Sequence, residues 1–320
     1  MSGVRGRYAP SPTGALHLGA LRTALLAWLF ARAAGGDFTL RGEDLDMPRM
    51  RPGATAALLD DLRWLGLDWD EGPDVGGPHG PYTQHMRGAI YHGALARLRA
   101  ADLLYPCYCS RSERLRAQDA AIASAPHLTG APIPYSGVCR NLTTAERRAR
   151  EAAGRRPSWR FRTPDTPITF TDRLHGTITE AVATTLGDII VRRSDGVVAY
   201  NLAVVVDDAL MGVTQVVRGA DLLGVTAAQR ALALALGYAP PNDYAHVPLA
   251  VDETGARLAK RDESAGLAEL RARGMTPAQV VGALAASVGL WPADQPATPH
   301  DLLAAFDPVR IRIEPSQIIL

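Results

Sequence analysis

Lysine is almost missing from these 320 residues: Lys260 stands alone against 33 arginines, and asparagine occurs only three times. Such a bias, with abundant alanine, is what a GC-rich genome imposes, and it makes the surviving lysine informative. Lysine is a compact charge with rotatable donors, whereas arginine is a planar fork. Cysteine is scarce too; three make an odd number, which argues against a disulfide framework and for a reducing compartment. No apolar run approaches the ~20 residues of a membrane span, and the longest near the start, Ala24 to Ala31, is too short. The opening Met1-Ser-Gly-Val-Arg-Gly-Arg7 lacks the apolar stretch of a secretory signal. These absences exclude secreted and membrane classes, and the expectation is a cytoplasmic chain with no membrane partner. A 47% apolar content at a net charge of +1 is that of a globular enzyme able to bury its own core. The length leaves room for about two domains.

No internal repeat or low-complexity tract interrupts the chain. Residues 3–9 read as a strand, followed by the turn-rich Pro10-Ser-Pro-Thr-Gly14. From His17 to Ala33 the apolar Leu18, Leu21, Leu25, Trp28 and Leu29 recur at helical spacing, and Gly35-Gly36 stops that helix. Phe38-Thr-Leu-Arg41 reads as a second strand, so the chain opens as a parallel α/β sheet. Thr55–Leu65 and Tyr91–Ala101 are further amphipathic helices. Residues 105–165 differ: they hold all three cysteines and many turn residues, and Arg140 to Arg162 contains eight arginines against Glu146 and Glu151. The chain average predicts about two or three arginines there, so this stretch reads as an inserted module. β-Branched runs resume at Ile189–Val191, Val197–Tyr200 and Val213–Val217, and the pattern predicts that they complete the sheet. The last sixty residues are expected to be mostly helical, with Thr276-Pro-Ala-Gln279 and Thr298-Pro-His-Asp301 as helix starts.

Two constellations carry chemistry. In Arg7-Tyr-Ala9-Pro-Ser11-Pro-Thr-Gly14-Ala-Leu-His17-Leu-Gly19-Ala20 a strand feeds a Gly/Pro turn and then a helix N-terminus, a ready anion site. Gly19 lets a planar base approach the backbone, and His17 can donate to a phosphate. No G-x-G-x-x-G follows the strand and no Gly-Lys-Ser/Thr occurs, which excludes the dinucleotide fingerprint and the P-loop. The second is Arg257-Leu-Ala-Lys260-Arg261 after the turn Asp252-Glu-Thr-Gly255. A loop bearing the lone lysine beside two arginines can stabilise charge building on a departing pyrophosphate. Separately, Cys107-Tyr-Cys109 and Cys139 form a soft-ligand set suited to zinc, with the fourth ligand open and His127 a more usual ligand type than a phenolate.

Together these residues resemble the class I aminoacyl-tRNA synthetases. Leu16-His17-Leu-Gly19-Ala20 is similar to their HIGH motif, with Ala20 for the second His, and Leu258-Ala-Lys260-Arg261 resembles a KMSKS motif departing at Ala259. Arg7 to Gly14, Arg41-Gly-Glu43-Asp44-Leu-Asp46, and Tyr200 to Asp208 running on to Val217-Arg218-Gly219 narrow the likeness to the glutamyl branch, over about residues 4–265. The resemblance implies a Rossmann-like parallel sheet, divided as 1–100 and 176–245, with a zinc-containing module inserted at 101–175. The Lys260 loop and a short helical region would follow at 246–320. It implies that Arg7 pairs with a glutamate side-chain carboxylate and Glu43 with its ammonium, while Ala9, Ser11, Tyr200 and Arg218 complete the pocket. His17, Gly19 and Lys260 would serve ATP, with His17 and Lys260 catalytic. The family's full-length synthetases carry Asn four residues beyond the pocket tyrosine; here Val204 removes that polar contact.

The chain ends at Leu320, which implies the absence of the helical anticodon-binding part of a full synthetase. With Cys107, Cys109, Tyr135 and Cys139 matching a Cys3Tyr zinc site, this resembles the shorter glutamyl-Q tRNA(Asp) synthetases. That family implies activation of L-glutamate by ATP and Mg²⁺ without tRNA, then transfer to queuosine at the wobble position of tRNA(Asp). One structural zinc and a monomer are expected, and the arginines of 140–162 are candidates for phosphate contact. The alternatives are a truncated synthetase charging tRNA(Glu) and a non-catalytic paralogue that binds an amino acid or nucleotide. Lys260→Arg is expected to abolish ATP–pyrophosphate exchange, and full exchange in that variant would refute the inference from the lone lysine.

Overall fold

The computed structural model describes residues 3–110, 112–113, 134–258 and 266–320. At its centre β1 (Arg5–Tyr8) pairs in parallel with β2 (Asp37–Leu40), Arg7 lying opposite Thr39. On its other edge β1 meets β8 (Gln215–Gly219): the Thr214 N–H donates to the Arg5 carbonyl at 3.0 Å, and the Arg5 N–H to the Thr214 hydroxyl at 2.9 Å. β8 runs parallel to β9 (Asp243–Val247), which touches β5 (Ile168–Asp172), itself hairpinned to β6 (Gly176–Glu180). The chain thus leaves β1 toward β2 on one side and β8 toward β9 on the other. Open α/β sheets bind ligands beyond the carboxyl ends of their strands at such a reversal.

Helix α1 (Leu18–Ala33) crosses from β1 to β2. Leu21, Leu25, Leu26, Trp28 and Leu29 are all buried, so it is a core helix, apolar on nearly every face. It stops where Gly35 takes the left-handed conformation at φ +63°. The helices Pro277–Ala286 and Pro299–Ala304 contribute to the same core. Each opens as the sequence predicts: Thr276 and Thr298 cap their N-termini, with Gln279 and Asp301 closing the capping boxes behind a first-turn proline.

A second, antiparallel sheet carries Cys107: β3 (Leu104–Cys107), β4 (Ser158–Phe161) and β7 (Ile190–Arg192). This corrects two expectations. Ile189–Val191 does not complete the parallel sheet; it returns to the small sheet after the β5–β6 hairpin has joined the large one. Val197–Tyr200 is no strand either. Arg192 and Val198 make a single bridge, and Ala199 then caps the helix Tyr200–Leu210. Its β-branched Val204-Val205-Val206 disfavours a helix intrinsically, but all three side chains are buried, and packing overrides propensity.

The segment after β9 is braced from the far end of the chain. Ser316 donates its N–H to the Leu249 carbonyl at 3.1 Å and accepts from the Val251 N–H at 3.2 Å. Beneath it lies Arg22 of α1, 1% exposed, bonded to the Pro248 carbonyl at 2.8 Å and to the hydroxyls of Ser316 (2.8 Å) and Ser287 (3.1 Å). Among the described residues, no helix is long and apolar enough to cross a membrane.

Candidate active site

A cleft of about 270 Å³ opens at the carboxyl ends of β1 and β8. Its lining includes Arg7, Ala9, Ser11, His17, Gly19, Glu43, Tyr200 and Arg218. Every pocket residue expected from the sequence lies there except Lys260, which falls outside the described residues. The elements explain the convergence: β1 delivers Arg7, β8 delivers Arg218, α1 begins beside His17, and Tyr200 opens its helix.

His17 is the N-cap of α1, its Nδ1 accepting the Ala20 N–H at 3.2 Å. The helix end it caps carries the partial positive charge of unpaired N–H groups toward the cleft. Gly19 is required by contact: a Cβ there would lie 2.9 Å from the Ala250 Cβ and 3.2 Å from the His17 ring. Arg257, on the far lip, pairs with Asp221 at 2.7 Å.

The charges below the cleft were not foreseen from the sequence. Asp208, buried at the end of the Tyr200–Leu210 helix, accepts from Arg41 Nη1 at 2.7 Å and from Arg7 Nε at 3.4 Å. Burial alone would raise the Asp208 carboxyl; Arg7 and Arg41 outweigh it and hold it below the usual carboxylate range. Arg7 Nη1 is spent on the Val217 carbonyl at 3.2 Å, while its Nη2 has no partner among the described residues. Glu43 accepts from Arg41 Nη2 at 3.2 Å, yet burial still pushes its carboxyl upward, so a cation placed beside it would be welcome.

Arg218 is held differently. Its Nε donates to His246 Nε2 at 3.1 Å, Nη1 to Gln229 Oε1 at 2.8 Å, and Nη2 to the Thr226 hydroxyl at 2.8 Å. Gln229 in turn donates its Nε2 to Asn201 Oδ1, beside Tyr200, at 2.9 Å. Val204 is buried beside Arg218 and Gln229, so the polar neighbours of Arg218 come from His246 of β9 and from Thr226 and Gln229 of the helix Leu223–Ala235. The signal for His246 was a single imidazole inside the otherwise apolar Tyr244-Ala-His246-Val strand.

The cysteines form a second centre. The Sγ atoms of Cys107, Cys109 and Cys139 all lie within 4.8 Å of one another, close enough to share one metal ion. Tyr135 Oη sits 3.3 Å from Cys107 Sγ and 3.7 Å from Cys109 Sγ, the place of a fourth ligand. His127, the other candidate, lies outside the described residues. The site is built: the Cys139 N–H donates to Tyr135 Oη at 3.2 Å, and the buried Arg160 guanidinium covers the Tyr135 ring at 3.6 Å. Gly187 admits the Tyr135 backbone, to which a Cβ would come within 2.6 Å. The hydrogen bond from Cys109 pulls the Cys107 thiol well below its usual range against the cost of burial, favouring the thiolate a metal needs.

Of the eight arginines of 140–162, three serve the fold. Arg140 pairs with the buried Asp188 at 2.8 Å, Arg160 covers Tyr135, and Arg162 lies over Tyr105. Arg147, Arg148 and Arg150 belong to the helix Thr144–Ala152, which buries no residue, and Arg155 and Arg156 follow it.

With this geometry in place, the comparisons identify the family. Residues 3–294 match tRNA synthetases class I (E and Q), catalytic domain. The chain belongs to that family. It is 56% identical, over 98% of its length and 95% of the relative's, to a glutamyl-Q tRNA(Asp) synthetase of Symbiobacterium thermophilum. It is 50% identical, over 99% and 97%, to that of Nitratidesulfovibrio vulgaris. A crystal structure of a glutamate tRNA ligase from Elizabethkingia meningosepticum, in complex with its amino acid, superposes with a TM-score of 0.79 at 30% identity. That match covers 99% of this chain and 67% of the other. The parallel sheet is thus a class I synthetase fold, in a ligase family that uses ATP.

Asp208 makes the site sensitive to acid. Its carboxyl titrates lower folded than unfolded, so its stabilisation is complete above about pH 4 and is lost as pH falls further. Asp208→Asn is expected to lose ~3–5 kcal/mol at neutral pH, as for breaking a buried pair, with the deficit narrowing toward about pH 3. Urea unfolding of both proteins across that range measures it.

Proposed function

We propose that the chain activates L-glutamate with ATP and Mg²⁺ to glutamyl-adenylate without tRNA, and then transfers glutamate to queuosine at the wobble position of tRNA(Asp). The observation that carries the reading is one amino-acid-sized cleft holding Arg7 and Arg218 for a carboxylate and Glu43 for an ammonium. Near-full-length relatives named glutamyl-Q tRNA(Asp) synthetase support the acceptor, and a glutamate tRNA ligase solved with its amino acid supports the pocket.

In this reading Arg7 offers its unspent Nη2 to the substrate's side-chain carboxylate, and Glu43 takes the α-ammonium, relieving its own burial. Ala9, Ser11 and Tyr200 wall the pocket. An oxygen of the glutamate α-carboxylate attacks the α-phosphorus, the bond to the β-phosphate oxygen breaks, and pyrophosphate leaves with that electron pair. Catalysis is alignment and charge stabilisation, with no protein nucleophile. His17, Gly19 and the N-terminus of α1 hold the nucleotide, Lys260 stabilises the departing pyrophosphate, and Mg²⁺ offsets phosphate charge. A hydroxyl of the queuosine cyclopentene ring then attacks the activated carbonyl and expels AMP. The exposed Arg148, Arg155 and Arg156 and the half-buried Arg147 and Arg150 would face tRNA phosphates, making binding fall with salt. The reading places the enzyme in the cytoplasm.

The deciding experiment is transfer of labelled glutamate to tRNA(Asp) with queuosine, tRNA(Asp) without it, and tRNA(Glu). Label only on the first is expected; label on tRNA(Glu) would make the chain a minimal synthetase and overturn the acceptor. For the cysteine centre we propose one structural zinc held by Cys107, Cys109, Cys139 and Tyr135. Elemental analysis is expected to find about one zinc per chain, lost in Cys139→Ser together with thermal stability; a metal-free wild type of equal stability would refute it.

A further inference from the structure

Two buried arginines line the cleft, and their surroundings differ in one respect. Arg7 is tied to a carboxylate, Asp208. Arg218 has no carboxylate within ion-pair distance among the described residues: all its acceptors are neutral, and the second hydrogen of Nη1 has no acceptor among them. Its charge is therefore left for a ligand. What orients it from the Nε side is His246, fully buried, and behind His246 stands Asp172.

The hydrogen-bond logic fixes the state of that imidazole. His246 Nδ1 lies 2.6 Å from Asp172 Oδ2, an acceptor, so Nδ1 carries the proton. Nε2 faces Arg218 Nε, which can only donate, so Nε2 is bare. The Thr226 hydroxyl accepts from Arg218 Nη2 and lies 3.0 Å from both Nε2 and the Leu222 carbonyl, to either of which it can donate, so it requires no proton on Nε2. Asp172 is itself anchored by the N–H groups of Leu174, His175 and His246. The remaining neighbours of His246 are His175, whose Nε2 meets the His246 carbonyl at 2.8 Å, and the stacked ring of Tyr244.

We infer that His246 is a positioning residue for substrate binding: Asp172 locks its tautomer, and the bare Nε2 aims Arg218 into the cleft without cancelling its charge. A carboxylate in that place would hold Arg218 as firmly but would compete with the substrate carboxylate. A neutral acceptor orients and leaves the field intact. The inference rests on the proposed reading of the cleft as a glutamate site.

The test compares His246→Phe, which keeps ring volume and removes the acceptor, with His246→Gln, whose amide oxygen can replace Nε2. In glutamate-dependent ATP–pyrophosphate exchange, His246→Phe is expected to raise KM for glutamate about tenfold or more and leave KM for ATP unchanged, the mark of lost substrate binding. His246→Gln is expected to restore most of the affinity at equal thermal stability. Equal defects in both variants, or none in His246→Phe, overturn the inference while the reading of the cleft stands. A wild type without glutamate-dependent exchange overturns both. Should His246→Phe fail to fold, ¹⁵N NMR of the wild-type imidazole decides: a protonated Nδ1 and bare Nε2 are required, and a proton on Nε2 refutes the lock.

Discussion

Asp207 and Asp208 are neighbours at the end of one helix, and the cleft depends on their facing different ways. Adjacent helical residues point about 100° apart, so the two carboxylates reach largely different partners and meet at Arg41, whose Nε lies 3.6 Å from Asp207 Oδ2. Asp208 takes Arg7 and Arg41; Asp207, wholly buried, takes Arg87 at 2.7 Å, Gln84 at 2.8 Å and Tyr91 at 2.9 Å. One helical turn thereby fixes β1, the backbone beyond β2, and the start of the helix Gly88–Ala100 against one another. Burying these ions is costly, and only near-complete hydrogen bonding offsets the loss of water. The arrangement is thus better understood as setting geometry than as adding stability: Arg7 and Glu43 face one cavity because both are tied to the same anion, directly or through Arg41.

The strand–helix–strand opening and the two Thr-capped helices were legible in the sequence from local patterns, and Arg7, Ala9, Ser11, Glu43, Tyr200 and Arg218 from the resemblance carried by contiguous motifs. Ile189–Val191 and Val197–Tyr200 were not. β-Branched residues announce burial, and burial is equally served by a strand of another sheet or by a core helix. Long-range charge partners were hidden for a different reason. Nothing near His246 in the chain marks Asp172, 74 residues earlier, as its partner. Arg41 and Asp208 lay inside motifs that had been singled out, yet which arginine met which carboxylate needed coordinates.

The cysteine centre occupies ground between these cases. Cys-x-Cys with a third thiol suggested a metal from spacing alone, but where Tyr135 sits against those thiols depended on how the chain returns. Gly187 lets Tyr135 come close, and Arg160 of β4 lies flat on its ring. With the proposed zinc bound, three thiolates and a phenolate would carry excess negative charge, and the buried Arg160 guanidinium would be an electrostatic counterweight.

Arg22 raises the same question of balance with the opposite sign. It is buried in α1, burial lowers its pKa to about 10, and every group it touches is a neutral oxygen. One of those oxygens, on Pro248, belongs to the cleft wall. Arg218 is likewise held by neutral acceptors and the end of α1 adds its dipole, so on this side of the cleft the positive charge has no carboxylate paired to it among the described residues, unlike Arg7 and Arg41. Low-dielectric walls focus such a field outward, and ions in solution screen buried charges far less than surface ones. The cleft would keep its pull on polyanions at ionic strengths that silence the arginines outside.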